Sequence, residues 1–223
     1  MPASHVSAID SAQDDGPLPP VAQADDGDLF QAAVLFTDMR GSSDLVNRVP
    51  PREFFRLLNG SLSAQAATVG AHGGTVVKYT GDGLLAVFRG PSRATHAVRC
   101  ALALAEAGGR EPRLPFGVGV VDGPVLAGLL GPDTPGQRRQ PDVVGATVHM
   151  AARMCALAAA GEVVTTRATL AGSGLQLQLP CAVETLALPG FPAPVDCVVL
   201  DTGGAPLAAD PRPGERLLPS AQR

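Results

Sequence analysis

The chain has 223 residues, a formal net charge of −4 and 45% hydrophobic residues, which is enough for one core-forming domain with tails. No apolar run reaches the roughly 18 residues that span a bilayer, the N-terminus lacks a signal-peptide pattern, and no basic stretch longer than Arg138-Arg139 interleaves with aromatics. These features exclude a membrane segment and a nucleic-acid partner from the reading and point to a cytoplasmic chain.

The charge is unevenly placed. Residues 1–28 carry Asp10, Asp14, Asp15, Asp25, Asp26 and Asp28 with no Lys or Arg. Rich in Pro, Ser and Gln as well, they read as a disordered acidic leader. One domain is expected over 29–201, and residues 202–223 read as a second disordered segment. The four cysteines form no CxxC pair and have apolar or small neighbours, as expected of buried free thiols.

In chain order, LFQAAVLFTD reads as a buried strand ending at Asp38. RGSSDLVNRV opens with a helix-start signal at Gly41, Ser42 and Ser43. PREFFRLLNGSLSAQAATVGAHGG has helical apolar spacing and stops at Gly73-Gly74. TVVKY and LLAVF form a hairpin across TGDG. SRATHAVRCALALAEAGG predicts a second long helix. LPFGVGVVDGPVLAGLLG predicts two strands hinged at Asp122-Gly123, and residues 131–141 a polar loop. ATVHMAARMCALAAA predicts a third main helix, and EVVTT, LQLQL and VDCVVL the closing strands. The order suits an α+β fold: an antiparallel, ferredoxin-like or palm-type sheet with helices packed on one face.

Two carboxylates stand out, each at an element end near a glycine-containing turn. Asp38 closes the first strand and Asp82 sits on the hairpin tip. If those strands are neighbours, the carboxylates converge and suit hard divalent cations, which take carboxylate and phosphate oxygens. The amides of Gly41-Ser42-Ser43 suit a phosphate. Each aspartate also has an ordinary alternative, a helix cap for Asp38 and a β-turn position for Asp82. Lys78 is the chain's one lysine beside sixteen arginines, four residues before Asp82.

FTDMRGSSDL, GGTVVKYTGDGLLAVF and DVVGATVHMAAR, in this order, together resemble the class III nucleotidyl cyclases, the adenylate and guanylate cyclase catalytic domain. The resemblance runs from about Ala32 to Leu200. It implies a head-to-tail homodimer with active sites at the interface, two Mg²⁺ or Mn²⁺ ions per site, and ATP as substrate. It assigns Asp38, Asp82 and the backbone at Met39 to metal. It assigns Lys78 and Asp142 to adenine; guanylate cyclases usually carry Glu at the lysine position. In GATVHMAARM it singles out Thr147, His149 and Arg153. The last two, spaced i, i+4, share a helix face, and Arg153 would stabilise charge on the phosphates.

Two positions depart from the family pattern. His149 stands where the family has a ribose-binding Asn, and Pro189, in LALPGFPAPV, stands where a triphosphate-binding Lys is usual; Arg138 and Arg139 are the candidate replacements. The ordinary alternatives are a solvated strand residue for Lys78, a loop cap for Asp142, a surface ion pair for Arg153 and a helix-seam packing residue for His149. The expected activity is conversion of ATP to cyclic AMP and pyrophosphate. The competing reading is a lapsed cyclase fold that dimerises and binds nucleotide or a partner protein. A diguanylate cyclase is remote, because its Gly-Gly-acidic turn is absent.

Overall fold

The computed structural model describes residues 27–110, 114–132, 134, 139–177, 179 and 181–203. The expected leader and tail therefore lie outside the described residues, apart from residues 27–28 and 202–203, and so does Arg138.

The elements are β1 (Asp28–Met39), α1 (Ser42–Arg48), α2 (Pro51–Ala71), β2 (Thr75–Tyr79), β3 (Leu84–Phe88), α3 (Arg93–Arg110), β4 (Phe116–Leu130), β5 (Gln140–Val144), α4 (Ala146–Leu157), β6 (Glu162–Thr166), α5 (Arg167–Gly172), β7 (Cys181–Leu186) and β8 (Val195–Asp201). The strands form one eight-stranded sheet in the order β2-β3-β1-β4-β6-β8-β7, with β5 also paired to β4. Only the β4–β6 pair is parallel. The α+β class expected from the sequence is the class observed.

β1 lies at the centre and is buried on both faces, which is why AAVLF reads as an unbroken apolar run rather than an alternating one. Ala33 and Leu35 face one core, with Val69 of α2 and Ala97, Val98, Ala101 and Leu104 of α3. Ala32 and Val34 face a second core, with Ala151 and Met154 of α4. The helices thus flank the sheet on both sides, which corrects the expectation of helices on one face. Each Val or Leu so buried contributes about 1.5–3 kcal/mol.

The reason α4 can occupy the second face lies in β4. Gly117, Gly119 and Gly123 share one parity along the strand and present bare backbone to the helix. A Cβ on Gly119 would stand 2.5 Å from Ala151 O and 2.6 Å from Cys155 Cα; one on Gly123 would stand 2.7 Å from Thr147 Oγ1. Thr147 fills the space instead, donating its hydroxyl to Pro124 O at 2.7 Å.

Three expectations need correction. The Asp122-Gly123 pair is no hinge: β4 runs straight through it, because β1 pairs in register along its whole length, with Ala33 opposite Asp122 and Ala32 opposite Gly123. The Asp122 carboxylate is held by an Arg93 fork, Nε donating to Oδ1 at 2.6 Å and Nη2 to Oδ2 at 3.1 Å. LQLQL is not a strand among the described residues; Leu175 and Leu177 pack against the first core, and the strand follows later at β7. Residues 140–141, expected in the polar loop, instead open β5. All four cysteines are free thiols as expected, three of them buried, but Cys181 is exposed.

Substituting two glycines should separate these constraints. Gly119→Ala forces α4 off the sheet and should lower the unfolding free energy by roughly 1–3 kcal/mol. Gly60→Ala, in mid-α2 with open space around its Cβ, should raise it by about 0.5–1 kcal/mol. Urea unfolding of the two variants reads both signs.

Candidate active site

Asp38 is the penultimate residue of β1, opposite Gly117 of β4. Asp82 reaches it from the β2–β3 hairpin. That hairpin closes through Thr80 N–H to Gly83 O at 2.9 Å, with Gly81 at φ +87°, a conformation that glycine adopts without strain. Gly83 then crosses the end of β1. A Cβ there would lie 2.7 Å from the Thr37 carbonyl carbon and collide with its oxygen. The absence of that Cβ lets the hairpin tip settle beside Asp38.

The two carboxylates meet closely enough to perturb each other. Burial pushes the Asp38 pKa above its ordinary value. The adjacent Arg40 guanidinium opposes this, while the Asp82 charge and an Asp38–Asp82 hydrogen bond push further upward. Two acids that converge on one point, with amides before a helix beside them, fit a divalent cation bound with phosphate oxygens. Among the described residues no three His, Cys, Asp or Glu side chains are placed to hold a metal ion together. Such an ion would therefore take these two carboxylates and complete its shell from backbone, water and substrate.

The Gly41-Ser42-Ser43 turn adjoins Asp38. Gly41 is the N-cap of α1 at φ +72°, and its carbonyl accepts from Asp44 and Leu45 at 3.1 Å. The amides of Ser42 and Ser43 precede that ladder. The side chain of Met39 is buried, so only its backbone is offered towards the site.

Arg40 was not singled out by the sequence. Its Nη1 donates to Asp38 Oδ2 at 2.9 Å, and its Nη2 donates to the Cys155 carbonyl near the end of α4. Its Nε is buried without a partner. Cys155, beneath it, is a buried thiol with its pKa pushed up to about 12 by burial, and so is inert at neutral pH. Arg40 ties the acid-bearing strand to the helix that carries Arg153. Nothing in the DMRG stretch signals this, since Cys155 is 115 residues away.

A second group forms apart from the acids. Lys78 Nζ donates to Asp142 Oδ2 across 64 residues of sequence. The β2–β3 register shifts by one between Val76 and Lys78. The shift takes Lys78 off the face it would otherwise share with Val76 and leaves its side chain 45% exposed. Asp142 stands on β5 and is pinned by Val143 N–H to its Oδ1 at 2.9 Å. It is a strand residue rather than a loop residue.

On α4, Thr147, Ala151, Met154 and Cys155 are buried while His149 and Arg153 are exposed on the outer face. His149 is therefore not a seam residue. Pro189 is exposed in the β7–β8 connection, beside the buried Leu188. Asp38 and Asp82 are brought together, and so are Lys78 and Asp142. His149 and Arg153 share a third, outward-facing position.

The Asp38 environment has a pH signature. A raised carboxylate pKa means that the folded chain binds this proton more tightly than the unfolded chain does. The associated stability is full below the ordinary carboxylate range and is lost as pH rises through the raised value. Asp82→Asn removes the neighbouring charge, so the Asp38 titration followed by carboxyl ¹³C NMR in metal-free buffer should move downward. Burial remains, so it should stay above the ordinary value.

The family model described as "Adenylate and Guanylate cyclase catalytic domain" matches residues 27–181. Among curated proteins, the uncharacterized protein Rv1320c of Mycobacterium tuberculosis is 34% identical over 180 residues, covering 76% of this chain and 31% of the relative. The uncharacterized protein Rv1319c of the same organism is 36% identical over 137 residues, covering 59% and 25%. The chain thus spans less than a third of the length of these relatives. Among solved structures, the guanylyl cyclase Cya2 is similar at 26% identity and TM-score 0.70, over 78% of this chain and 93% of that one. The adenylyl cyclase CyaB from P. aeruginosa shares the fold at 24% identity and TM-score 0.68, over 78% and 94%. With the family model spanning most of the described residues, and the fold matching solved cyclase domains, this chain belongs to the adenylate and guanylate cyclase catalytic domain family, the class III nucleotidyl cyclases.

Proposed function

We propose that this domain is an adenylate cyclase that converts ATP to cyclic AMP and pyrophosphate at the interface of a head-to-tail homodimer. The observation that carries the reading is the Lys78–Asp142 pair. An ammonium beside a carboxylate matches an adenine edge, whose N1 accepts while its N6 amino group donates. The two groups already stand together on separate strands, so little reorganisation is needed to receive the base. Lysine rather than glutamate at this position agrees with that choice.

In this reading Asp38, Asp82 and the backbone at Met39 hold Mg²⁺ or Mn²⁺, two ions per site. Such ions would lower the pKa of the attacking hydroxyl and offset phosphate charge. The ribose 3′-oxygen forms its bond to the α-phosphorus as the bond from that phosphorus to the bridging oxygen breaks, and pyrophosphate leaves. The amides of Gly41, Ser42 and Ser43 bind phosphate oxygens. Arg153 is exposed on its own chain and is offered to the partner's site, where its guanidinium meets the charge that develops on the phosphates. His149, one turn earlier on the same face, takes the ribose-facing position.

The division of groups makes the dimer testable. Asp38→Ala and Arg153→Ala should each lower cyclic AMP formation by at least about 10²-fold. Mixed and allowed to exchange subunits, the two inactive variants should recover roughly a quarter of wild-type activity, because heterodimers hold one intact site. No recovery despite subunit exchange would rule out the shared site. Lys78→Glu should lower the ATP-to-GTP activity ratio; an unchanged ratio would remove the base-reading role.

The second reading, a cyclase fold that dimerises and binds nucleotide or a partner protein without turnover, draws on His149 and Pro189. Pro189 offers no cation, and its exposed side chain stands where a triphosphate-binding lysine is usual. Under that reading the purified chain binds nucleotide but forms no cyclic product with Mg²⁺ or Mn²⁺, and Asp38→Ala leaves partner binding unchanged.

A further inference from the structure

The residue before the first acid has no role in the account above. Thr37 is 1% exposed. Its hydroxyl donates to Gln65 Oε1 of α2 at 2.6 Å and accepts Leu84 N–H at 3.0 Å. Gln65 is 3% exposed, and its Nε2 donates to Ser61 Oγ one turn back at 3.1 Å. A continuous polar chain therefore runs Ser61–Gln65–Thr37–Leu84 through otherwise apolar packing. Gln65 is the only buried residue with an amide side chain among the described residues; the other buried polar residues carry hydroxyls.

The position of this chain is telling. Thr37 immediately precedes Asp38, and Leu84 follows Asp82 by two residues. The paired register of β1 and β3 ends at Phe36 opposite Leu85. Beyond it, the Leu84 amide finds a side-chain hydroxyl as its acceptor. Gly83 presses on the Thr37 carbonyl. That contact stops the hairpin from moving closer, and the Leu84–Thr37 hydrogen bond stops it from withdrawing. A restraint matters here, because two carboxyl groups converge at the tip, and carboxylates repel wherever both are ionised.

We propose that Thr37 and Gln65 are positioning residues, a buried clamp that hangs the Asp82 hairpin from α2 and so sets the gap between the two carboxylates. The proposal rests on the reading of Asp38 and Asp82 as metal ligands. Gln65 holds the Thr37 hydroxyl proton, which leaves the oxygen lone pair directed at Leu84 N–H. The clamp makes metal affinity depend on the seating of α2, a helix that supplies no ligand.

The test uses the full chain and Mn²⁺ alone, titrated by EPR, with Thr37→Val, Gln65→Met, Thr37→Ser and Asp38→Ala. The valine and methionine variants should weaken Mn²⁺ binding roughly tenfold, as loss of groups that orient metal ligands does. Thr37→Ser, which keeps the hydroxyl, should stay close to wild type. Amide exchange at Leu84 should accelerate in Thr37→Val, a change that lost packing elsewhere would not localise. Should Thr37→Val fail to fold, Gln65→Met decides alone. Wild-type Mn²⁺ affinity in the folded clamp variants, with binding lost in Asp38→Ala, overturns the clamp and spares the metal site. Undiminished binding in Asp38→Ala overturns the metal reading and the clamp with it.

Discussion

The structure depends on α4 lying directly on the backbone of β4. Most helix–sheet contacts are separated by a layer of side chains. Here Gly117, Gly119 and Gly123 remove that layer, and the helix backbone comes down onto the strand. The seating fixes where each residue of α4 points. Thr147, Ala151 and Met154 turn inward, while His149 and Arg153 are exposed on the outer face. It also brings the Cys155 carbonyl within reach of Arg40. A side chain at any of these glycines would shift the helix and both consequences together.

The acid pair shows a second tension. Backbone packing at Gly83 and the buried Leu84–Thr37 hydrogen bond hold the Asp82 hairpin beside Asp38. Arg40 offsets part of the cost from one side. A site that keeps two carboxyl groups close, with the partly buried Arg40 beside one of them, is arranged for further positive charge. The same geometry that destabilises the chain at neutral pH is what makes the proposed ion site effective, a common bargain at functional positions.

Lys78 and Asp82 lie on one hairpin yet serve different surroundings. A one-residue register shift separates them: Lys78 is aimed at Asp142, and Asp82 is left at the tip beside Asp38. In a regular strand the lysine would face the side of Val76 and the α3 core. The proposed division, metal from one end of the hairpin and base from the other, is therefore a product of local irregularity. It also accounts for a lone lysine among sixteen arginines: a flexible point donor suits this pairing, where a planar fork would impose its own geometry.

Much of this was legible in the sequence, for physical reasons that differ by element. The apolar run of β1, the helical spacing of α2 and α3, and the glycine turn of the hairpin are local signals, and local periodicity carries them. The motifs around Asp38, Lys78 and Asp142 through Arg153 identify the family because three separate stretches agree. Contacts at long sequence separation were not legible. Asp-Gly in mid-β4 reads as a turn, yet pairing with β1 keeps the strand straight. LQLQL alternates like a strand, yet among the described residues it forms none, and Leu175 and Leu177 pack against the first core. Arg40 reaches Cys155, and Thr37 reaches Gln65 and Leu84, across separations on which composition and spacing are silent. The sequence by itself determined the family and most of the element types, and nominated the residues of the proposed site, because these follow from residue identity and short-range period. Tertiary structure alone decided which face α4 covers and how the carboxylates are brought together, because each is a meeting of distant backbones through glycine.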